Sequence, residues 1–297
     1  MTVFLPSSVD ETLSALADPE VQILAGGTDF MVEVNAGHRR PDKVLALRRV
    51  SELRAWQRQD GPVPSVRLGA AVTYTDLLGP DLAGLLPALA QAARTVGSPQ
   101  IRNAGTIGGN LATASPAGDT LPVLAALEAV IEVEGPEGRR DVPMAEFVVG
   151  PKRNALHPGE LLVAVRVPLL DGHQEFRKVG VRNAMVIAVA SLALVLDTAA
   201  RRVRCALGSV GPGPVRAIEA EAWLAQAIDW DAPAGGEAFE RAAFELAAEF
   251  GRLVGEAARP IDDHRGTAVY RRHAVAVLAS RAATQALSSM GPQGAAA

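Results

Sequence analysis

At 297 residues, with 48% hydrophobic and 21% charged side chains, the chain is long enough for roughly two globular domains and ordinary in composition for them. Aromatics are only 4%, so Ala, Val and Leu must build the cores, and a formal net charge of −4 with no cluster of Lys or Arg argues against nucleic-acid binding. The lone Cys205 excludes an internal disulfide and an iron–sulfur cluster held by this chain alone, which takes about four thiolates; His38, His157, His173, His264 and His273 show no metal-ligand spacing.

The first residues lack a basic region followed by an apolar stretch, and no apolar run approaches about 18 residues, so membrane insertion is not expected and a cytoplasmic location is. Ser8-Val9-Asp10-Glu11 has the form of a capping box, and Leu13, Leu16 and Ala17 follow at helical spacing, predicting a helix over 8–17. Val21-Gln22-Ile23-Leu24-Ala25 reads as a strand that ends in Gly26-Gly27-Thr28-Asp29-Phe30, a turn whose glycines leave backbone N–H groups unshielded beside a hydroxyl. A brief helix to about Asn35, a turn at Pro41-Asp42 and a strand over 43–47 complete an α/β unit. Arg39 and Arg40 fall in the intervening loop, where solvation is the ordinary role and a phosphate contact the alternative. An apolar stretch over 66–71 and a helix over 85–96, stopped by Gly97 and Pro99, lead to the middle of the chain.

That middle, Thr106-Ile107-Gly108-Gly109-Asn110, repeats the double-glycine signal. Two residues without Cβ and a third that tolerates φ > 0 predict a concave turn with successive N–H groups aimed at one point and a positive φ at Gly109, suited to an anion; a hairpin turn plus an ordinary helix cap is the alternative. Ser115-Pro116-Ala117-Gly118-Asp119 then opens a helix over 121–127, where a diphosphate could rest against the first N–H groups. Two such loops imply an extended ligand. Beyond them, 129–134 and 160–167 read as strands with a hairpin turn at 135–138, and Pro168 with Asp171-Gly172 marks a domain boundary. The rest offers β-type runs over 175–179, 188–196 and 203–209, then helices from about 217, over 236–250 and over 268–287, predicting a small antiparallel sheet covered on one side. Residues 291–297 read as a frayed tail.

"LAGGTDF", "QIRNAGTIGGNLATASPAGDTLPVL", "FRKVGVRNAMVIAVASLAL" and "YRRHAVAVLASRA", in that order along the chain, resemble the FAD-binding medium subunit of the carbon monoxide dehydrogenase and xanthine dehydrogenase family. The resemblance implies an α+β fold: a two-subdomain FAD-binding domain of the vanillyl-alcohol oxidase-like (PCMH-type) kind over 1–171, a small C-terminal domain of antiparallel sheet plus helices over 172–288, and a disordered tail over 289–297. It implies an FAD-dependent oxidoreductase subunit that passes electrons from [2Fe–2S] clusters on a small partner subunit to an acceptor such as NAD, quinone or oxygen, while a large partner subunit carries the molybdenum cofactor. Carried over by position, the cofactor-binding residues are Ile23, Leu24, Ala25, Gly26, Gly27, Thr28, Asp29 and Phe30 in the first loop and Thr106, Ile107, Gly108, Gly109 and Asn110 in the second, joined by Ser115, by Asp119 on the adenosine side, by Leu161, and by Lys178 near the flavin ring. Asp119 read on its own is also a plain helix N-terminal carboxylate, and Lys178 a strand-edge lysine. Phe30 and Met31 after the first turn depart from some relatives. No catalytic side chain and no metal ligand is expected in this chain. Covalent flavin attachment needs a His or Cys, and neither glycine motif has one, so non-covalent FAD is expected. A self-contained flavoprotein oxidase of the wider superfamily is the alternative, and a nucleotide-binding module without redox function a third reading.

Overall fold

The computed structural model describes residues 1–231 and 236–290. They form two compact units, and the division is not a single cut. The first unit comprises Met1–Leu85, Val96–Ser115 and Glu128–Leu169; the second takes Leu86–Thr95, Pro116–Leu127 and the described chain from Leu170 onward.

The first unit contains a three-stranded parallel sheet in the order Thr2–Phe4, Lys43–Ala46, Val21–Leu24. Its middle strand buries Val44, Leu45 and Ala46 in succession, as parallel strands covered on both faces do. The helix Val9–Leu16 bears out the prediction over 8–17, with a small difference at its start. Ser8 Oγ accepts from the Glu11 N–H at 3.2 Å, but the Glu11 carboxylate reaches one residue further back and accepts from the Ser7 N–H at 2.7 Å. Val9 and Leu16 pack with Leu45, Leu47, Val50, Leu53, Leu161 and Val163 in one cluster; burying each large aliphatic there is worth about 1.5–3 kcal/mol.

The same unit holds a five-stranded antiparallel sheet, in the order Trp56–Gln59, Ser65–Gly69, Leu161–Pro168, Val130–Gly135, Gly138–Pro143. The predicted hairpin at 135–138 is the Gly135–Gly138 pair that joins the last two strands.

The middle of the chain differs most from its reading. The helix predicted over 85–96 is present as Pro87–Thr95, and a separate helix, Pro80–Leu85, that was not predicted stands before it; Pro87 has no N–H to continue that first helix. Residues read as loop and turn form the helices Pro99–Ala104 and Ile107–Thr113. Ser98 caps the first, with Pro99 at its opening position; Thr106 caps the second, its hydroxyl accepting the Gly109 N–H at 3.0 Å. Gly108 and Gly109 thus lie inside a helix, and neither has a positive φ. The cap and the buried Ile107 and Leu111, one turn apart, outweigh the roughly 1 kcal/mol that each helical glycine costs.

The second unit holds an antiparallel sheet in the order Gly172–Val179, Ala190–Asp197, Arg202–Gly208, Val215–Arg216. Helices Ile218–Ala227, Glu237–Ala257 and Ala268–Ser289 follow it. Ala190, Leu192, Leu194 and Leu196 join these helices in the main core, with Cys205, Phe250 and Val275. The alternate residues Ser191, Ala193 and Val195 are buried too, and helices Pro87–Thr95 and Thr120–Ala126 pack on the same sheet. Pro122 sits where a Cβ on Gly208 would come within 3.2 Å of its Cγ, on the face that also carries Ser191. The sheet is therefore covered on both faces, not one; the second cover comes from segments before residue 128, which local pattern could not assign. Of the tail expected over 289–297, Ser289 ends a helix and Met290 caps it, while 291–297 lie outside the described residues. Among the described residues no helix is long and apolar enough to cross a membrane.

Candidate functional site

A cavity of about 310 Å3 lies in the first unit, at the small end of the roughly 300–1,000 Å3 of ligand sites. Its lining brings together Ile23, Ala25, Gly26, Gly27, Thr28, Asp29 and Phe30 from the first glycine stretch, Thr106, Gly108, Gly109 and Asn110 from the second, and Leu161 from the strand beneath. These residues are far apart in sequence.

The two stretches reach it by different means. After the strand Val21–Leu24 the chain turns through Gly27, whose φ of 77° lies in the left-handed region that a side chain disfavours. Gly26 is needed for another reason: a Cβ there would stand 1.9 Å from the Ala104 carbonyl oxygen. The N–H groups of Gly26, Gly27, Thr28 and Asp29 donate to no acceptor among the described residues. Four successive free donors around a left-handed glycine make an anion cradle.

In the second stretch those donors are used. Ile107 N–H donates to Val72 O and Gly108 N–H to Ala70 O, both at 2.9 Å, Gly109 N–H to Thr106 Oγ1 at 3.0 Å, and Asn110 N–H to Thr106 O at 3.0 Å. The concave N–H cluster predicted at 106–110 is therefore absent, because a capped helix consumes it. What the glycines provide is proximity. A Cβ on Gly108 would meet Ala70 O at 2.6 Å, so the helix could not rest on that strand end. A Cβ on Gly109 would press on Thr106 Oγ1 at 2.9 Å, with Ala25 of the first stretch 4.0 Å away.

Leu24, Ile107, Ser115, Asp119 and Lys178 do not line this cavity. Leu24 supports Gly27 from behind, Ile107 is fully buried in the core, and Ser115 is the last residue of the first unit's central segment. Asp119 and Lys178 belong to the second unit and meet there as an ion pair of 2.6 Å, with side chains only 6% and 8% exposed. Thr95 Oγ1 donates to the same carboxylate oxygen, Oδ2, at 3.0 Å, while Oδ1 is buried with no partner among the described residues. Burial pushes the Asp119 carboxyl above the usual range, and the Lys178 ammonium and the Thr95 hydroxyl pull against it. Asp119 makes no side-chain cap to the helix Thr120–Ala126, and Lys178 is no exposed strand-edge lysine.

The lining also includes residues that the motifs did not mark, among them Glu33, Ala70, Tyr74, Lys152, Leu156 and Leu162, and it includes Arg39. Lys152 sits in a turn between the short strands Val148–Gly150 and Arg153–Asn154, with φ 56°. The Gly150-Pro151 pair just before it was the one available signal for that turn. Its N–H donates to Ala114 O at 3.0 Å, and Asn154 Nδ2 to Ala112 O at 2.7 Å, so the hairpin is tied to the end of the second glycine helix. Among the described residues no group of three His, Cys, Asp or Glu side chains is placed to hold a metal ion.

The family described as "FAD binding domain in molybdopterin dehydrogenase" matches residues 1–170, and "CO dehydrogenase flavoprotein C-terminal domain" matches 174–286. The chain belongs to the FAD-binding medium subunits of the molybdenum hydroxylase family. The glyceraldehyde dehydrogenase medium chain of Sulfolobus acidocaldarius is 32% identical over 281 residues, covering 93% of this chain and 94% of that one. Two solved structures each cover 98% of both chains: carbon monoxide dehydrogenase from Hydrogenophaga pseudoflava at 29% identity and TM-score 0.83, and quinoline 2-oxidoreductase from Pseudomonas putida 86 at 26% and 0.86. The cavity of this flavoprotein subunit fits the cofactor chemically: the orphaned donors of 26–29 suit the anionic diphosphate, and glycine at 108 and 109 keeps side chains out of the approach.

Proposed function

We propose that this subunit is the electron-exit station of a three-subunit complex. It would receive electrons from [2Fe–2S] clusters on a small partner, with substrate oxidation on a large molybdenum-binding partner, and release them to an external acceptor in the cytoplasm. The observation that carries this reading is a flavin-type cradle in a chain whose single cysteine, Cys205, is buried, its thiol pushed well above its usual range chiefly by desolvation. Such a chain supports a bound redox cofactor without a cluster of its own or a reactive thiol. Bound FAD supplies the redox chemistry, exchanging electrons singly or in pairs.

The protein's part is binding and orientation. On this reading the Gly26–Asp29 donors hold the diphosphate, Ala25 and Gly109 set the close approach from opposite sides, and Ser115, Leu161, Asp119 and Lys178 make the contacts that the resemblance implies. Neither glycine stretch contains a His or Cys that could link to the flavin, which supports non-covalent attachment. The relatives' names span glyceraldehyde, carbon monoxide and quinoline, which supports a substrate chosen by another subunit.

The test is to purify the tagged complex anaerobically, then separate this chain under mild conditions and follow flavin, iron and molybdenum. Flavin should stay with this chain, leave it on acid precipitation, and be reduced by dithionite. It should remain oxidised when the separated chain is offered glyceraldehyde, quinoline or carbon monoxide. Rapid reduction of the separated chain by an organic substrate would instead mark a self-contained oxidase.

A further inference from the structure

Arg39 and Lys152 share one carboxylate at the cavity. Arg39 Nε lies 3.1 Å from Glu33 Oε2 and Lys152 Nζ 3.4 Å from Glu33 Oε1. One carboxylate for two cations leaves a positive charge uncompensated in that trio, and Asp29, the other carboxylate of the lining, pairs with neither among the described residues. All three members line the same cavity as the free N–H groups of Gly26, Gly27, Thr28 and Asp29.

Both cations are held by devices that core packing does not require. The Arg39 guanidinium stands 4.9 Å from the centroid of the Phe30 ring, a cation–π contact that keeps the long side chain over the loop. The Arg39 N–H donates to Glu33 O at 3.2 Å, closing the stretch on itself. Lys152 is carried by a left-handed backbone that costs a residue with a side chain about 1–2 kcal/mol. The surrounding hairpin bonds to Ala112 and Ala114 set that conformation, although the lysine side chain itself is 71% exposed and does nothing for the core.

We propose that Arg39 and Lys152 are the side-chain counter-charges of the cofactor's diphosphate, and that Glu33 holds them at the cavity until it binds. The inference rests on the reading that FAD occupies this cavity. Binding exchanges a shared carboxylate for phosphate oxygens, which accept charge-assisted hydrogen bonds from both cations while the loop donors hold the remaining oxygens. The exchange moves no covalent bond and no electron.

The experiment uses the full chain, stripped of flavin and titrated with FAD by flavin fluorescence at several salt concentrations, with circular dichroism to check the fold. Arg39→Gln and Lys152→Met should each raise the Kd about three- to tenfold and flatten its salt dependence, because a screened attraction has been removed. Arg39→Lys, which keeps the charge, should recover part of the loss, and Glu33→Gln should tighten binding. An unchanged Kd in both charge-removing variants would overturn the proposal, as would a raised Kd with undiminished salt dependence, the mark of a merely structural role. Failure of the unaltered chain to bind FAD would instead refute the reading of the cavity beneath it.

Discussion

The two double-glycine stretches carry nearly the same sequence signal and fold into opposite things. Gly26-Gly27-Thr28-Asp29 is an open turn with one left-handed glycine and four unused donors, whereas Gly108-Gly109-Asn110 is the first turn of a helix whose donors are all spent. What separates them is whether a capping side chain stands just upstream. Leu24 and Ala25, at and after the end of the strand Val21–Leu24, have no side-chain acceptor, while Thr106, two positions before Gly108, has a hydroxyl that takes the Gly109 N–H and starts a helix. A glycine pair signals close approach of backbone to something; whether it also signals an anion cradle depends on who receives the N–H groups.

The comparison can be broken hardest at Gly26. Gly26→Ala drives a Cβ to 1.9 Å from the Ala104 carbonyl, backbone against backbone, and should cost about 3 kcal/mol or more, read as a lowered urea midpoint. Gly109→Val should act on the ligand before the fold. It disturbs the Thr106 cap, worth about 1 kcal/mol, and fills the approach between the two stretches, so the far-ultraviolet spectrum should persist while FAD content falls to a small fraction. Full flavin occupancy in that variant would mean the second stretch is scaffold only.

Gly27→Ala sharpens the contrast from the other side. Leu24 Cδ1, at 3.3 Å, need give way only by a few tenths of an ångström at the end of a flexible side chain, so the cost should be chiefly conformational, about 1–2 kcal/mol at φ 77°. An unaltered urea midpoint would show that the loop relaxes to another conformation. The smallest effect is expected away from both stretches, at the ion pair of Arg140 with Glu160, the residue that precedes the strand Leu161–Pro168. The Arg140 guanidinium holds the Glu160 carboxyl below the usual range. A depressed carboxyl stabilises the fold above its unfolded pKa and ceases to as pH falls through the folded one. Arg140→Met should therefore cost about 1 kcal/mol at pH 7, limited because Arg140 is over a third exposed, and less below the ordinary glutamate value of about 4.3. A deficit that does not change between pH 7 and pH 3.5, measured by thermal melting, would remove the ion pair as its cause.

Much of this was legible in sequence because it is local. The helix Val9–Leu16, the hairpin at Gly135–Gly138, the order of strands then helices after residue 172 and the first glycine turn each follow from caps, periodicity and turn residues within about ten positions. The family was legible too, since its motifs stand in order along the chain. Residues 99–113 were misread for the same reason: glycine and proline are local signals against a helix, and a cap together with buried Ile107 and Leu111 overrode them.

What only the tertiary structure decided concerns partners distant in sequence. Sequence by itself determined the residue types at the cavity, the absence of a thiolate set and the double-glycine punctuation. It did not determine that the Gly26–Asp29 donors stay free and the Ile107–Asn110 donors do not, because the acceptors that consume the latter include Ala70 and Val72, more than thirty residues away. Nor did it determine that Asp119 pairs with Lys178 inside the second unit, or that Lys152 joins Glu33 across 119 positions. A hydrogen bond or an ion pair depends on distances of about 3 Å between atoms, and such distances between remote residues are set by how the sheets pack, which no local pattern encodes.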